Sequence, residues 1–217
     1  MSDVATNASS LRLSVDMLND QFMVQRADKD DLPEILAIYN QSIAGKQATA
    51  NLVPVTCEER ADWFDEHLNS PTRPIYIVKA VIKDIKNIES APIVAWGSFS
   101  DLYARMAYHI STEISIYLHK DYHGQGLGSL LTRWMLTQAP SLGIYNVVAL
   151  IFAHNQPSLG LFRKLGFEQW GYMPKVCDMQ GFIADVVMLG KAVTSDNVTL
   201  NNVLVDKSIS QNNNERS

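Results

Sequence analysis

A chain of 217 residues with 47% apolar content can bury one ordinary core, so one domain with tails is the simplest organisation. A formal net charge of −5 with no run of Lys or Arg argues against nucleic acid as a partner, and no apolar stretch reaches the roughly 18 to 20 residues of a bilayer span. The first twenty residues lack a basic start followed by an apolar block, which points to the cytoplasm; Cys57 and Cys177 have neither metal-ligand spacing nor framework density, so free thiols and no metal are expected.

Residues 1–20 are polar without a sustained period and read as a flexible arm ahead of a domain spanning 21–192. Phe22 to Arg26 suits a first strand. Asp30 or Asp31 can cap a helix carrying Leu32, Ile35, Leu36, Ile38 and Tyr39 at helical spacing, with Pro33 tolerated in its first turn. Thr56 with Glu58 and Glu59 marks a second helix start, running through Trp63 and Phe64 to about Leu68 and closed by Pro71 and Pro74. Ile75 to Ile82 and Pro92 to Ser100 read as an antiparallel strand pair joined by a Lys-rich turn. Thr112 to Leu118 alternates, with Glu113, Ser115 and Tyr117 on one face and Ile114, Ile116 and Leu118 on the other.

Gly126 to Gln138 is helical and ends at Ala139-Pro140 and Gly143, and Asn146 to Ala153 is an apolar run that predicts a strand buried on both faces. Pro157 to Leu165 reads as a short helix stopped by Gly166. Phe167 to Val176 and Phe182 to Leu189 are the last strands, and the Asn-, Ser- and Asp-rich 193–217 reads as a disordered tail. The order β-α-α-β-β-β-α-β-α-β-β predicts a mixed sheet of α/β or α+β class.

The most informative junction is His123-Gly124-Gln125-Gly126-Leu127-Gly128-Ser129, where an alternating strand feeds a glycine loop that opens onto a helix. Glycines let the backbone approach a phosphate, and the free amides of a helix start attract it. A P-loop needs Lys then Ser or Thr after its last glycine, and a dinucleotide fingerprint needs G-x-G-x-x-G; neither fits.

With Glu113 upstream, this segment resembles the acetyl-CoA signature Q/R-x-x-G-x-G/A of the GNAT N-acetyltransferase superfamily, His123 standing where Gln or Arg is usual. Downstream, Asn155-Gln-Pro-Ser158, Phe162 and Lys164-Leu-Gly-Phe167 resemble the family's N-x-x-A/S-x-x-x-Y-x-K-x-G-F segment. Within the superfamily the chain is most similar to phosphinothricin and methionine-sulfoximine acetyltransferases. Thr56 with Glu58-Glu59, Arg105 and Tyr108 ahead of Thr112-Glu113, and Gly171 to Val176 with Asp185-Val186 carry that similarity.

The resemblance implies the GNAT fold, acetyl-CoA as co-substrate and a small-molecule amine as acceptor, with a homodimer left open. The coenzyme diphosphate would sit on main-chain amides from Gln125 to Ser129, including those of Gly126, Leu127 and Gly128. The pantetheine arm would pair like an added strand with Ile116, Tyr117 and Leu118. Asn155 either contacts that arm or caps the helix bearing Ser158. Glu113 would take the proton that an ammonium must lose before attack, the plainer alternative being a solvated or salt-bridged strand Glu. An amide near Tyr117 would receive charge on the carbonyl oxygen.

Phe162 stands where many members carry a Tyr acid, and His154 reads as a polar strand-end residue. Arg105, with Tyr108, would hold the carboxylate of an amino-acid-like acceptor. Ala50-Asn51-Leu52-Val53 and Tyr103 depart from that group's aromatic, acidic and basic positions. A non-catalytic acyl-CoA binding or sensing module and an acetyltransferase acting on protein amines are the alternatives.

Overall fold

The computed structural model describes residues 15–81 and 91–193, so the expected arm before residue 15, the Lys-rich turn at 82–90 and the polar tail from 194 lie outside the described residues. Eight strands form one sheet: β1 (Asp16–Asn19), β2 (Phe22–Arg26), β3 (Ile75–Ala80), β4 (Ile93–Asp101), β5 (Ser111–Leu118), β6 (Asn146–Phe152), β7 (Glu168–Asp178) and β8 (Ile183–Ala192). They lie in the order β1-β2-β3-β4-β5-β6-β8-β7, and only β5 and β6 run parallel. Helices α1 (Leu32–Ile43) and α2 (Cys57–Asn69) precede β3, while α3 (Leu127–Gln138) and α4 (Gln156–Lys164) flank β6 in sequence. No described helix is long and apolar enough to cross a membrane.

The two faces of the sheet bury separate cores. Ile35, Ile38 and Phe64 of α1 and α2 pack on Ile75, Ile77 and Trp96, whereas Leu131 and Met135 of α3 and Phe162 of α4 pack on Val78, Phe99 and Ile114. Strand alternation sorts these residues: Ile77 and Val78 are neighbours in sequence and belong to opposite cores.

Three local expectations changed. The sheet begins at Asp16 rather than near Phe22; four residues are too few for alternation to show, and β1 is held by the Trp134 indole donating to the Asp16 carboxylate (3.1 Å) and by Leu18 on the core. Asp31 precedes α1 without capping it. Its backbone is helical (φ −82°, ψ −15°), whereas a cap needs extended backbone to turn its side chain toward the first turn. Its carboxylate instead accepts the Asp28 N–H (2.8 Å), and burial holds the carboxyl above its ordinary range. β6 is not closed on both faces, because Leu150 is 39% exposed and looks into a cavity.

The start of α2 follows expectation. Thr56 is extended, its hydroxyl accepts the Glu59 N–H (3.2 Å), and the Glu59 carboxylate accepts the Thr56 N–H (2.8 Å). Such a reciprocal cap contributes about 1 kcal/mol.

Candidate active site

β5 and β6 pair at only three positions, Ser111 with Asn146 to Glu113 with Val148, and then part. The wedge that opens holds a cavity of about 420 Å³, bounded by Ile116 and Tyr117 on one side, Leu150 and Phe152 on the other, and by Asn155 ahead of α4 with Ser158 and Phe162 of that helix. Glu113 sits where the strands separate.

Alternation decides which main-chain groups face the wedge. His119 N–H bonds the Val94 carbonyl and the register sets Leu118 against Ala95, so odd-numbered residues of β5 turn their amides and carbonyls to β4. Ile116 and Leu118 turn theirs the other way, where β6 has already left. Tyr117 therefore spends its main chain on Trp96 and brings its ring to the site, so the amides open to a ligand are those of Ile116 and Leu118. The Leu118 carbonyl accepts from His123 Nε2 (3.1 Å), which ties the glycine loop to the strand end.

The Glu113 carboxylate has no ion-pair or hydrogen-bond partner among the described residues, and burial pushes it above the usual carboxylate range. The salt-bridged alternative has no partner to offer among the described residues. A half-buried carboxylate with free lone pairs, lining a cavity, is suited to taking a proton.

Beyond β5 the loop reaches Gly126 in left-handed backbone (φ 80°), and the first helical bond of α3 runs from Leu130 N–H to the Gly126 carbonyl (3.1 Å). The amides of Leu127, Gly128 and Ser129 precede that bond and have no partner within the helix. A Cβ on Gly124 or Gly126 would meet nothing within 4 Å, so the space before these amides is open, as a diphosphate requires. Gly128 differs: its Cβ would lie 3.0 Å from Leu161, so it is there for packing of α3 on α4. The Gln125 side chain bonds the Asp121 carbonyl (2.7 Å), leaving its backbone as the part turned to a ligand.

Asn155 caps α4 by accepting the Ser158 N–H (3.1 Å) and donates to the Gln47 carbonyl (3.0 Å), so its amide is engaged within the protein while still lining the cavity. Gln47 belongs to a strap over the site that the sequence did not reveal. His154 donates to the Lys46 carbonyl (2.8 Å), Lys46 Nζ to the carbonyls of Met179 (2.6 Å) and Gln180 (2.9 Å), and Tyr39 meets Thr49 (2.5 Å). Residues 47–51 thereby form one cavity wall. His154 is a clamp on this strap and Phe162 a buried, proton-less wall.

Arg105 and Tyr108 are not in the cavity lining. They lie on the exposed connection from β4 to β5, where Met106 is 92% exposed and Tyr108 packs edge-on against Tyr103 (4.9 Å). Both ends of that connection are held by Arg73, which is 7% exposed. It donates to Asp101 (2.7 Å) and to the His109 (2.7 Å) and Ser111 (3.4 Å) carbonyls. Arg73→Met should cost about 2 to 4 kcal/mol in urea unfolding by leaving the His109 and Ser111 carbonyls without their donor, with acetyl-CoA affinity retained.

The Acetyltransferase (GNAT) family model matches residues 40–167. The chain belongs to that family. YwnH of Bacillus subtilis, provisionally named a phosphinothricin acetyltransferase, is 40% identical over 77% of this chain and 97% of its own length. An L-methionine sulfoximine/L-methionine sulfone acetyltransferase of Pseudomonas aeruginosa is 31% identical over 76% of this chain and 91% of that protein. Among solved structures, the GNAT superfamily phosphinothricin acetyltransferase of Sinorhizobium meliloti in complex with AcCoA is 26% identical. It has a TM-score of 0.69 and covers 78% of this chain and 87% of that one. The GNAT fold and acetyltransferase class expected from the two motifs are therefore borne out, and a non-catalytic module is not favoured.

Proposed function

We propose that this GNAT acetyltransferase moves the acetyl group of acetyl-CoA to the primary amine of a small amino-acid-like molecule of the phosphinothricin or methionine sulfoximine class. The named activities of its relatives support the class of acceptor. The observation that carries the reading is Glu113, an unpartnered carboxylate at the point where β5 leaves β6.

Each requirement of the reaction has a group to meet it. The free amides at the start of α3 hold the diphosphate, and Ile116 and Leu118 offer main-chain donors along the wedge. Glu113 takes the proton from the acceptor ammonium, directly or through a water, so that nitrogen has a lone pair for attack. As the N–C bond forms and the C–S bond breaks, the nitrogen sheds its second proton to solvent and the sulfur leaves as thiolate. Phe162 has no proton for it, and a thiol of ordinary pKa near ~8.5 can depart and take its proton from water.

The full chain, given acetyl-CoA and a panel of methionine sulfoximine, methionine sulfone, phosphinothricin and simple alkyl amines, should release free thiol fastest with the amino-acid-like members. Binding of acetyl-CoA without thiol release from any amine would replace this reading with that of a binding module.

A further inference from the structure

A serine set opposite a glutamate across two antiparallel strands ordinarily donates its hydroxyl hydrogen to the carboxylate. Ser100 of β4 is opposite Glu113 of β5, and the Glu113 carboxylate nonetheless has no hydrogen-bond partner among the described residues. Odd-numbered residues of β5 turn their main chain to β4, so this is a hydrogen-bonded pair. Its Cα atoms are about 5.5 Å apart, with both side chains on the face covered by α1 and α2.

His67 accounts for the missing hydrogen. It lies in the last turn of α2, is 8% exposed, and brings its Nε2 to 3.0 Å from the Ser100 Oγ, while its Nδ1 is 2.8 Å from the Trp63 carbonyl. A carbonyl oxygen only accepts, so Nδ1 carries the ring proton. Burial lowers the His67 pKa, against the pull of the Trp63 carbonyl, Glu66, the Phe99 carbonyl and Asp101, and so favours the neutral ring. In that ring Nε2 is a bare lone pair. Ser100 must donate to it, and its oxygen then turns only lone pairs toward Glu113.

We propose that His67 and Ser100 are positioning residues for the base: His67 Nε2 accepts the Ser100 hydroxyl hydrogen, so Ser100 offers Glu113 lone pairs alone and helps it hold the proton taken from the acceptor. This role rests on the reading of Glu113 as the base and adds what sets its proton affinity. An ionised carboxylate facing the Ser100 lone pairs is repelled, whereas a protonated carboxyl can donate to them, so the pair works in the same direction as burial. The proton moves only from the acceptor nitrogen to a Glu113 oxygen; His67 and Ser100 keep their own. Protonating His67 reverses the arrangement, because Nε2–H then donates to Ser100 and frees the hydroxyl hydrogen for the carboxylate. The other titratable or charged groups around the two are Glu66 on α2, Asp101 on β4, which pairs with Arg73 (2.7 Å), and Tyr117 on β5 with Tyr39 and Arg60 beyond it. None of them is altered in the variants that test the role.

The test is a pH titration of the Glu113 side-chain carboxyl carbon by NMR in the free full chain, its resonance being the one absent from Glu113→Gln. Ser100→Ala should move the midpoint to lower pH. His67→Phe should move it further, by about one pH unit or tenfold in proton affinity, because the freed hydroxyl then donates to the carboxylate. Ser100→Thr keeps the hydroxyl and should keep the wild-type midpoint. A midpoint in His67→Phe that does not fall below that of Ser100→Ala overturns the proposal. Should His67→Phe not fold, the serine variants decide: a midpoint lowered by Ala and kept by Thr supports it, and any other pair of results overturns it. The acid limb of kcat/KM for L-methionine sulfoximine should move with the midpoint, whereas loss of packing alone lowers the rate at every pH and leaves the limb in place. A midpoint that moves without the limb supports the tuning and overturns the reading of Glu113 as the base. If the wild type acetylates no amine, the acceptor reading fails by itself, and the carbon titration still decides the role of His67 and Ser100.

Discussion

Glu113→Gln is expected to lower turnover by about a hundredfold or more while acetyl-CoA affinity stays within about twofold, because the amide matches the carboxylate in shape and cannot accept a proton. The carboxylate lies in the wedge without a partner, so the substitution breaks no ion pair that would disturb the coenzyme cradle at α3. Burial raises the Glu113 carboxyl, and the base is its ionised form. The rate should therefore climb as pH rises through that elevated value, and the variant should lose this limb of the profile. Stability runs the opposite way. A carboxyl that holds its proton more tightly folded than unfolded contributes stability fully present below the unfolded value near ~4.3, and lost as pH rises through the folded value. The Gln variant has no such loss, so at neutral pH it should melt at the wild-type temperature or higher. Loss of activity through damage to the fold would show the reverse. An unchanged rate and pH profile would remove Glu113 from the chemistry.

What the sequence made legible was what is local in the chain. The reciprocal Thr56–Glu59 cap, the alternation of β5 and the glycine loop opening α3 are set by residues within a turn or two of one another, and each formed where expected. Features made by contacts across the chain were hidden. The strap at residues 47–51 is fixed by His154 and Asn155 more than a hundred positions away, and nothing in its own composition announces a wall of the site. The same holds for His67 and Ser100: the sequence shows a helix His and a strand Ser, and only the pairing of β4 with β5 under α2 sets them in line with Glu113. For Tyr117 the face was right, but which amides remain free depends on where β5 and β6 part, and the register moves that role to Ile116 and Leu118. Asp31 shows the remaining kind of difference: the residue type suits a cap, and the backbone it adopts does not.

Gly126→Val should weaken acetyl-CoA binding by about tenfold or more, for two separable reasons. The residue has φ 80°, where a β-branched side chain strains the backbone by about 1 to 2 kcal/mol and tilts the first amides of α3. Its missing side chain also leaves open the space in front of those amides, since a Cβ there would meet nothing of the protein within 4 Å. A side chain added at this position collides with no neighbour in the free protein and fills the volume a diphosphate would use. Gly126→Asn separates the two effects, because Asn adopts left-handed backbone at little cost and still occupies the space. Calorimetric titration with acetyl-CoA should show weakened binding in both variants, with thermal stability lowered clearly only in the Val variant. Wild-type affinity in both would mean that the diphosphate does not rest on the amides of Leu127 to Ser129. Weak binding confined to the Val variant would assign the effect to strain alone. The open space before Gly126 would then have no part in recognition, and coenzyme affinity would have to come from the wedge-facing edge of β5 instead.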